Sequence, residues 1–189
     1  MTLPYKEMTE EDLASILAVT ATERVWVGED IAPEYYHDEM PEYGVFPPEL
    51  YVEVLDKEEI CAIMKYAYEQ NIPVVVRGAG TGLAGGANCT YGGVLLAVLE
   101  MNKNFCPDKA NMTITVQPGM LLTDVAAAAA AEGPFYPPDT GERTDPSRGQ
   151  VITTARGNGH ARSGLHKDIL PPIRGVLLGG IRCQVVLCV

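Results

Sequence analysis

The stretch Pro73 to Gly86, PVVVRGAGTGLAGG, limits what this chain can fold into more than any other. Three valines run into Arg77, and glycine then stands at Gly78, Gly80 and Gly82. β-Branched residues favour a pleated strand. Gly78, Gly80 and Gly82 can adopt φ > 0, and their missing side chains let a ligand approach the backbone. A strand emptying into such a loop predicts successive N–H groups arranged as a concave nest for phosphate oxygens. Thr81 can add a hydroxyl donor, and Arg77 can add charge or support the loop. A glycine-rich turn serving only close strand packing is the plainer alternative. The glycine density, together with Arg77 and Thr81, favours the anion.

Gly80-Thr81-Gly82-Leu83-Ala84-Gly85 also fits the G-x-G-x-x-G spacing of a dinucleotide-binding turn. That turn must open a helix that crosses over to a parallel strand. Here only LAGGANCTYGG separates the loop from the apolar run VLLAV, and four glycines in that span exclude a crossover helix. The nucleoside-triphosphate loop fails too, because no G-K-[S/T] follows. Arg77 to Gly85 therefore form a loop between two strands.

The flanking sequence fits this reading. Thr9 caps a helix whose first turn is acidic, with Leu13, Ile16, Leu17 and Thr20 at helical spacing. GEDIAPEYYHDEMPEYGVFPPE reads as an irregular acidic linker or a strap over a neighbouring surface, in which the lone His37 is a polar surface group. LYVEVL alternates as a strand should. Asp56 caps a helix from Lys57 to about Gln70 with an apolar stripe of Ile60, Ile63, Met64 and Ala67, and Asn71 ends it. After the loop come the strand GGVLLAVLEM, a turn at DKAN, the strand MTITVQP and an alanine-rich helix from Leu121 to Ala131, which Gly133-Pro134 stops. FYPPDTGE is extended.

Composition narrows the function. The net charge of −11 argues against nucleic acid as the main partner. No apolar run is long enough for a membrane-spanning helix, and no secretory signal opens the chain. Five cysteines without C-x-x-C spacing read as reduced thiols in a cytoplasmic protein. Cys183, Cys188, His160 and His166 fit no common zinc pattern, so no metal is expected.

Several segments in order resemble the FAD-binding PCMH-type domain of the vanillyl-alcohol-oxidase superfamily, and within it the glycolate oxidase flavin subunit and D-lactate dehydrogenases. IPVVVRGAGTGLAGGA is similar to the first flavin-binding loop, YVEVLDKEEICAIMKYAYEQNIP to the strand and helix before it, and GGVLLAVLEMNK to the strand after it. MTITVQPGMLLTDV resembles a V-x-P-G segment and its helix. FYPPDTGE resembles YPPDPGE, with Thr140 in place of a proline. The resemblance covers about Val45 to Glu142. It implies an α+β fold, not a Rossmann fold, of which this chain holds part: the first of two subdomains that enclose FAD, with a separate cap domain beyond. It implies that Arg77, Gly78, Ala79, Gly80, Thr81, Gly82, Leu83 and Gly85 wrap the FAD pyrophosphate and that Pro137, Pro138 and Asp139 lie close to the flavin. The implied reaction moves a hydride from a small 2-hydroxy acid to flavin. Electrons then pass to an iron–sulfur subunit, an electron-transfer flavoprotein or a quinone, so membrane association would come through a partner.

The resemblance implies domains at 1–44 (helix and strap), 45–142 (partial flavin domain) and 143–189 (an aberrant tail). From Thr144 on, the chain carries six Lys or Arg against two Asp or Glu, whereas the first 143 residues carry a net −15. A shifted reading frame or a chimeric tail would explain both changes at once, and a real but divergent C-terminus is the alternative. Codons compatible with Gly159 to Leu165 spell G-M-R-A-V-V-Y from their second base, against G-M-R-A-V-K-Y in the family. The catalytic histidines and metal ligands of the family have no match here, so no catalytic residue is assigned. The expectations are a fragment of a flavin-dependent 2-hydroxy-acid dehydrogenase or oxidase that is inactive alone, a tail that packs weakly, and negligible FAD binding by this chain. The alternative is a non-catalytic nucleotide-binding accessory module.

Overall fold

In the computed structural model, which describes residues 5–103, 105–108, 113–131 and 183–186, the chain divides into two units, Met1–Glu100 and Met101–Val189. Helix α1 (Glu10–Leu17) starts where the sequence places it, with Thr9 as N-cap in a capping box with Asp12. Asp12 is almost fully buried. It accepts hydrogen bonds from Lys6 Nζ (2.8 Å), the Tyr66 hydroxyl (2.8 Å), and the Thr9 backbone N–H (2.8 Å) and hydroxyl (2.7 Å). Burial pushes this carboxyl up, but the bonds from Lys6, Thr9 and Tyr66 outweigh burial and hold it well below the usual carboxylate range. A depressed folded pKa stabilises the fold fully above the unfolded value, and that stability is lost as pH falls through the folded one. Asp12→Asn is therefore expected to flatten the acid limb of stability below about pH 4. Urea midpoints across pH measure this, and an unaltered acid limb would contradict it.

The first unit carries a four-stranded sheet in the order β1-β2-β4-β3, with β1 Val25–Val27, β2 Leu50–Glu53, β3 Val74–Arg77 and β4 Val94–Ala97. β1 runs antiparallel to β2, while β2 and β3 both pair parallel with β4. Helix α2 (Lys57–Gln70) connects β2 to β3. Asp56 Oδ1 accepts the Glu59 N–H at 2.9 Å to start it, and Asn71 ends it in the left-handed conformation at φ 57. Ile60, Ile63 and Ala67 are buried as expected, and Met64 is half-buried.

The strand reading of LYVEVL holds, but its alternation does not: Leu50, Tyr51 and Val52 are all buried. β2 lies inside the sheet, and both of its faces are covered. The β2-α2-β3 crossover puts the helix on one face. On the other face, Ile31 from the strap joins Tyr51, Cys89, Leu95 and Ala97, with Trp26, Tyr35, Tyr36 and Val75 packed around them. The register explains this set. Trp26, Tyr51, Leu95 and Val75 stand opposite one another across four strands, and Glu53, Ala97 and Arg77 form the next row on the same face.

In the second unit, β5 (Phe105–Asp108) pairs antiparallel with β6 (Thr113–Val116), and β7 (Cys183–Val186) pairs antiparallel with the other edge of β6. Helix α3 (Leu122–Ala131) follows β6 and buries Val125. The sequence reading missed β1 and β5. β7 falls in the apolar stretch CQVVLCV of the tail. Of the DKAN segment, Asp108 is the last residue of β5; positions 109–111, the extended FYPPDTGE and the rest of the tail lie outside the described residues.

Candidate functional site

The loop from Gly78 to Gly93 contains turns and bends but no helix. Gly80 stands at φ +74, and a Cβ placed on it would run into the Arg77 guanidinium. Only glycine fits there, for lack of space as well as for conformation. Among the described residues, no acceptor takes the backbone N–H of Gly78, Ala79, Gly80, Thr81 or Gly82. Gly78, Gly80 and Thr81 are buried. The expectation of positive φ at Gly78, Gly80 and Gly82 holds only at Gly80; the second such glycine of the matched loop is Gly85, at φ +72.

The strap closes on this loop through two buried charges. Arg77 reaches out of the sheet and donates to the carbonyl oxygens of His37 (2.7 Å) and Glu34 (3.0 Å), with its guanidinium 5.5 Å from the Tyr35 ring centroid. Asp38 reaches the other way, its Oδ2 accepting the Gly85 N–H at 2.7 Å and its Oδ1 the Met40 N–H at 3.0 Å. The Glu39 N–H donates to the Gly82 carbonyl at 3.1 Å. Of the two roles the sequence leaves open for Arg77, its guanidinium performs support. Burial lowers the Arg77 pKa, and Tyr35, Tyr51 and Asp38 oppose that shift. His37 is half-buried rather than a free surface group: its Nδ1 lies 2.6 Å from the Asp38 carbonyl oxygen, to which it donates.

Cys89, within this loop, is buried with Ile31, Tyr51, Leu95 and Ala97. Burial pushes its thiol up to about 12, against the pull of Arg77. Cys61 is exposed on α2. A thiolate, not a thiol, reacts with alkylating agents. At neutral pH an alkylating agent is therefore expected to modify Cys61 and spare Cys89 until the protein unfolds. Peptide mass mapping reads this out, and early labelling of Cys89 would contradict the packing.

Two buried polar atoms in the loop have no hydrogen-bond partner: Thr81 Oγ1 and Asn88 Oδ1. Burying such atoms unpaired is costly, so each calls for a partner. Of the residues expected from the sequence, Arg77, Gly78, Ala79, Gly80, Thr81 and Gly82 come together at the end of β3, and Leu83 is exposed beside them. The Gly85 N–H is already taken by Asp38. Pro137, Pro138 and Asp139 lie outside the described residues. Asp38 and Asn88 were missed by the sequence reading, because no local pattern ties either of them to the loop.

A mixed sheet in which a glycine loop, with no helix of its own, joins β3 to the inner strand β4 lies outside the Rossmann class. The family described as "FAD binding domain" matches residues 48–181, beyond Glu142, where the resemblance in the sequence was placed to end. The chain belongs to that FAD-binding family, whose cofactor is FAD. A D-lactate dehydrogenase of Anaerostipes hadrus is 39% identical over 176 residues, covering 93% of this chain and 37% of that protein. The glycolate oxidase subunit GlcD of Bacillus subtilis is 35% identical over 152 residues, covering 80% of this chain and 29% of that protein. This chain thus spans about a third of the length of these curated relatives. Among solved structures, an alkyldihydroxyacetonephosphate synthase superposes with a TM-score of 0.64 at 15% identity, over 80% of this chain and 29% of that one. That likeness shows the fold alone. The relatives are FAD-linked oxidoreductases, and among the described residues no helix is long and apolar enough to cross a membrane.

Proposed function

We propose that residues Gly78 to Gly82 hold the pyrophosphate of FAD in a flavin-dependent oxidoreductase acting on a small 2-hydroxy acid of the glycolate or D-lactate type. One observation carries this reading: Gly80, at positive φ with no room for a Cβ, stands next to a buried Thr81 hydroxyl that no protein group satisfies. The fit to a pyrophosphate is good. Oriented N–H groups and a hydroxyl donor suit its oxygens, and the buried Arg77 lies one residue before the loop. Arg77 holds the loop to the strap. Gly78, Ala79, Gly80, Thr81 and Gly82 present the donors, Leu83 borders them, and Gly85 is fixed through Asp38. Pro137, Pro138 and Asp139 are proposed to lie near the flavin ring. When bound, FAD supplies the hydride acceptor. These residues bind and orient it, and we assign them no acid or base. The substrate class follows the names of the relatives, and the electron acceptor is proposed to be an iron–sulfur subunit, an electron-transfer flavoprotein or a quinone.

Phosphate binding and not turnover is the role proposed for this loop, with an affinity weaker than micromolar. Millimolar FAD is expected to raise the thermal midpoint, and riboflavin, which has no phosphate, is not. An equal response to riboflavin, or none to FAD, would remove the phosphate assignment.

A further inference from the structure

The loop holds a second unsatisfied atom that a pyrophosphate does not suit. Asn88 is 5% exposed. Its backbone is fully engaged, with the N–H donating to the Gly85 carbonyl at 3.2 Å and the carbonyl accepting the Thr90 N–H at 2.9 Å. Its side-chain amide nitrogen faces Gly85, 3.6 Å from where a Cβ on that glycine would stand. The side-chain oxygen has no donor. A packing role would be served better by an apolar residue of the same size, which has no polar group to desolvate.

The two orphan atoms differ in what they need. Thr81 Oγ1 can donate, so a phosphate oxygen satisfies it. Asn88 Oδ1 can only accept, and a fully ionised phosphate oxygen has no hydrogen to give. A ligand that satisfies both must carry a hydroxyl or N–H as well as its phosphates. We infer that Asn88 is a ligand-binding residue whose Oδ1 accepts the hydroxyl of a sugar or sugar alcohol adjoining the phosphate held by Gly78 to Gly82. The inference rests on the FAD reading and extends it: the loop recognises a phosphorylated polyhydroxyl chain and not the phosphate alone. In FAD that hydroxyl belongs either to the ribityl chain or to the ribose.

The test uses the full 189-residue chain and the Asn88→Leu and Asn88→Ala variants. Each is titrated with FAD, FMN, ADP and inorganic pyrophosphate and followed by the backbone amide NMR signals of the loop. Asn88→Leu is expected to weaken FAD about tenfold, to leave pyrophosphate binding as it is, and to unfold no earlier than wild type. A purely structural asparagine would show the opposite: lower stability and unchanged discrimination between ligands. Loss with FMN alone places the hydroxyl on the ribityl chain, and loss with ADP alone places it on the ribose; loss with neither overturns the inference. So does an equal loss for FAD and pyrophosphate, or unchanged FAD affinity in both variants. Those results leave the FAD reading standing, whereas a wild-type chain that does not bind FAD overturns both. If Asn88→Leu does not fold, Asn88→Ala is judged by the same criteria.

Discussion

Gly80→Val is expected to abolish FAD binding and to destabilise the first unit by about 3 kcal/mol. Two costs combine. A β-branched residue at φ +74 is strained by its own backbone. Its side chain also occupies the place of the Arg77 guanidinium, whose Nε would lie 3.0 Å from the new Cβ and whose outer atoms would lie closer still. Arg77 must then leave the carbonyls of His37 and Glu34. The two positions are therefore coupled. Gly80→Ala in an Arg77→Ala background is expected to cost only the conformational part, about 1 kcal/mol. Denaturant midpoints of the single and double variants measure the coupling. A fully stable Gly80→Val that still binds FAD would show that neither the conformation nor the packing of Gly80 matters.

Arg77→Met is expected to cost about 3 kcal/mol, although the side chain keeps most of its length and apolar stem. The guanidinium donates two charge-assisted bonds to strap carbonyls and lies near the Tyr35 ring. Without it, both carbonyls lose a donor, and the Tyr35 ring loses the cation beside it. The strap should then separate from the loop before the sheet unfolds. Faster hydrogen exchange at the Gly85 and Glu39 amides, which bond across that seam, is the expected signature. Uniform exchange across the first unit would mean that the strap and the sheet open as one.

What could be read in the sequence was whatever carries a local signal. Asp56 and Asn71 bracket α2 because capping depends on the identity of single residues. The run of valines before Gly78 shows both the strand and its end. β1 was missed because three residues, Val25 to Val27, become a strand only by pairing with β2. β5 was missed because Pro107 lies inside it, and proline argues against a strand. The loop could be read as a turn between two strands without a helix of its own, but the direction of Arg77 could not be read, since nothing local shows that the carbonyls of Glu34 and His37 accept from it. Asp38 sits in a segment whose acidity and prolines suggested only an irregular strap, yet its carboxylate fixes Gly85 across 47 residues of chain.

The central claim is that the glycine loop, clasped by the strap, is the anion-binding end of a flavin site. The most direct test is to follow the backbone amide signals of the chain during titration with FAD. Signals from Gly78, Ala79, Gly80, Thr81, Gly82 and Asn88 are expected to shift together and saturate in the millimolar range, while those of α1 stay in place. Signals that do not move, or movement confined to residues away from this loop, would contradict the account.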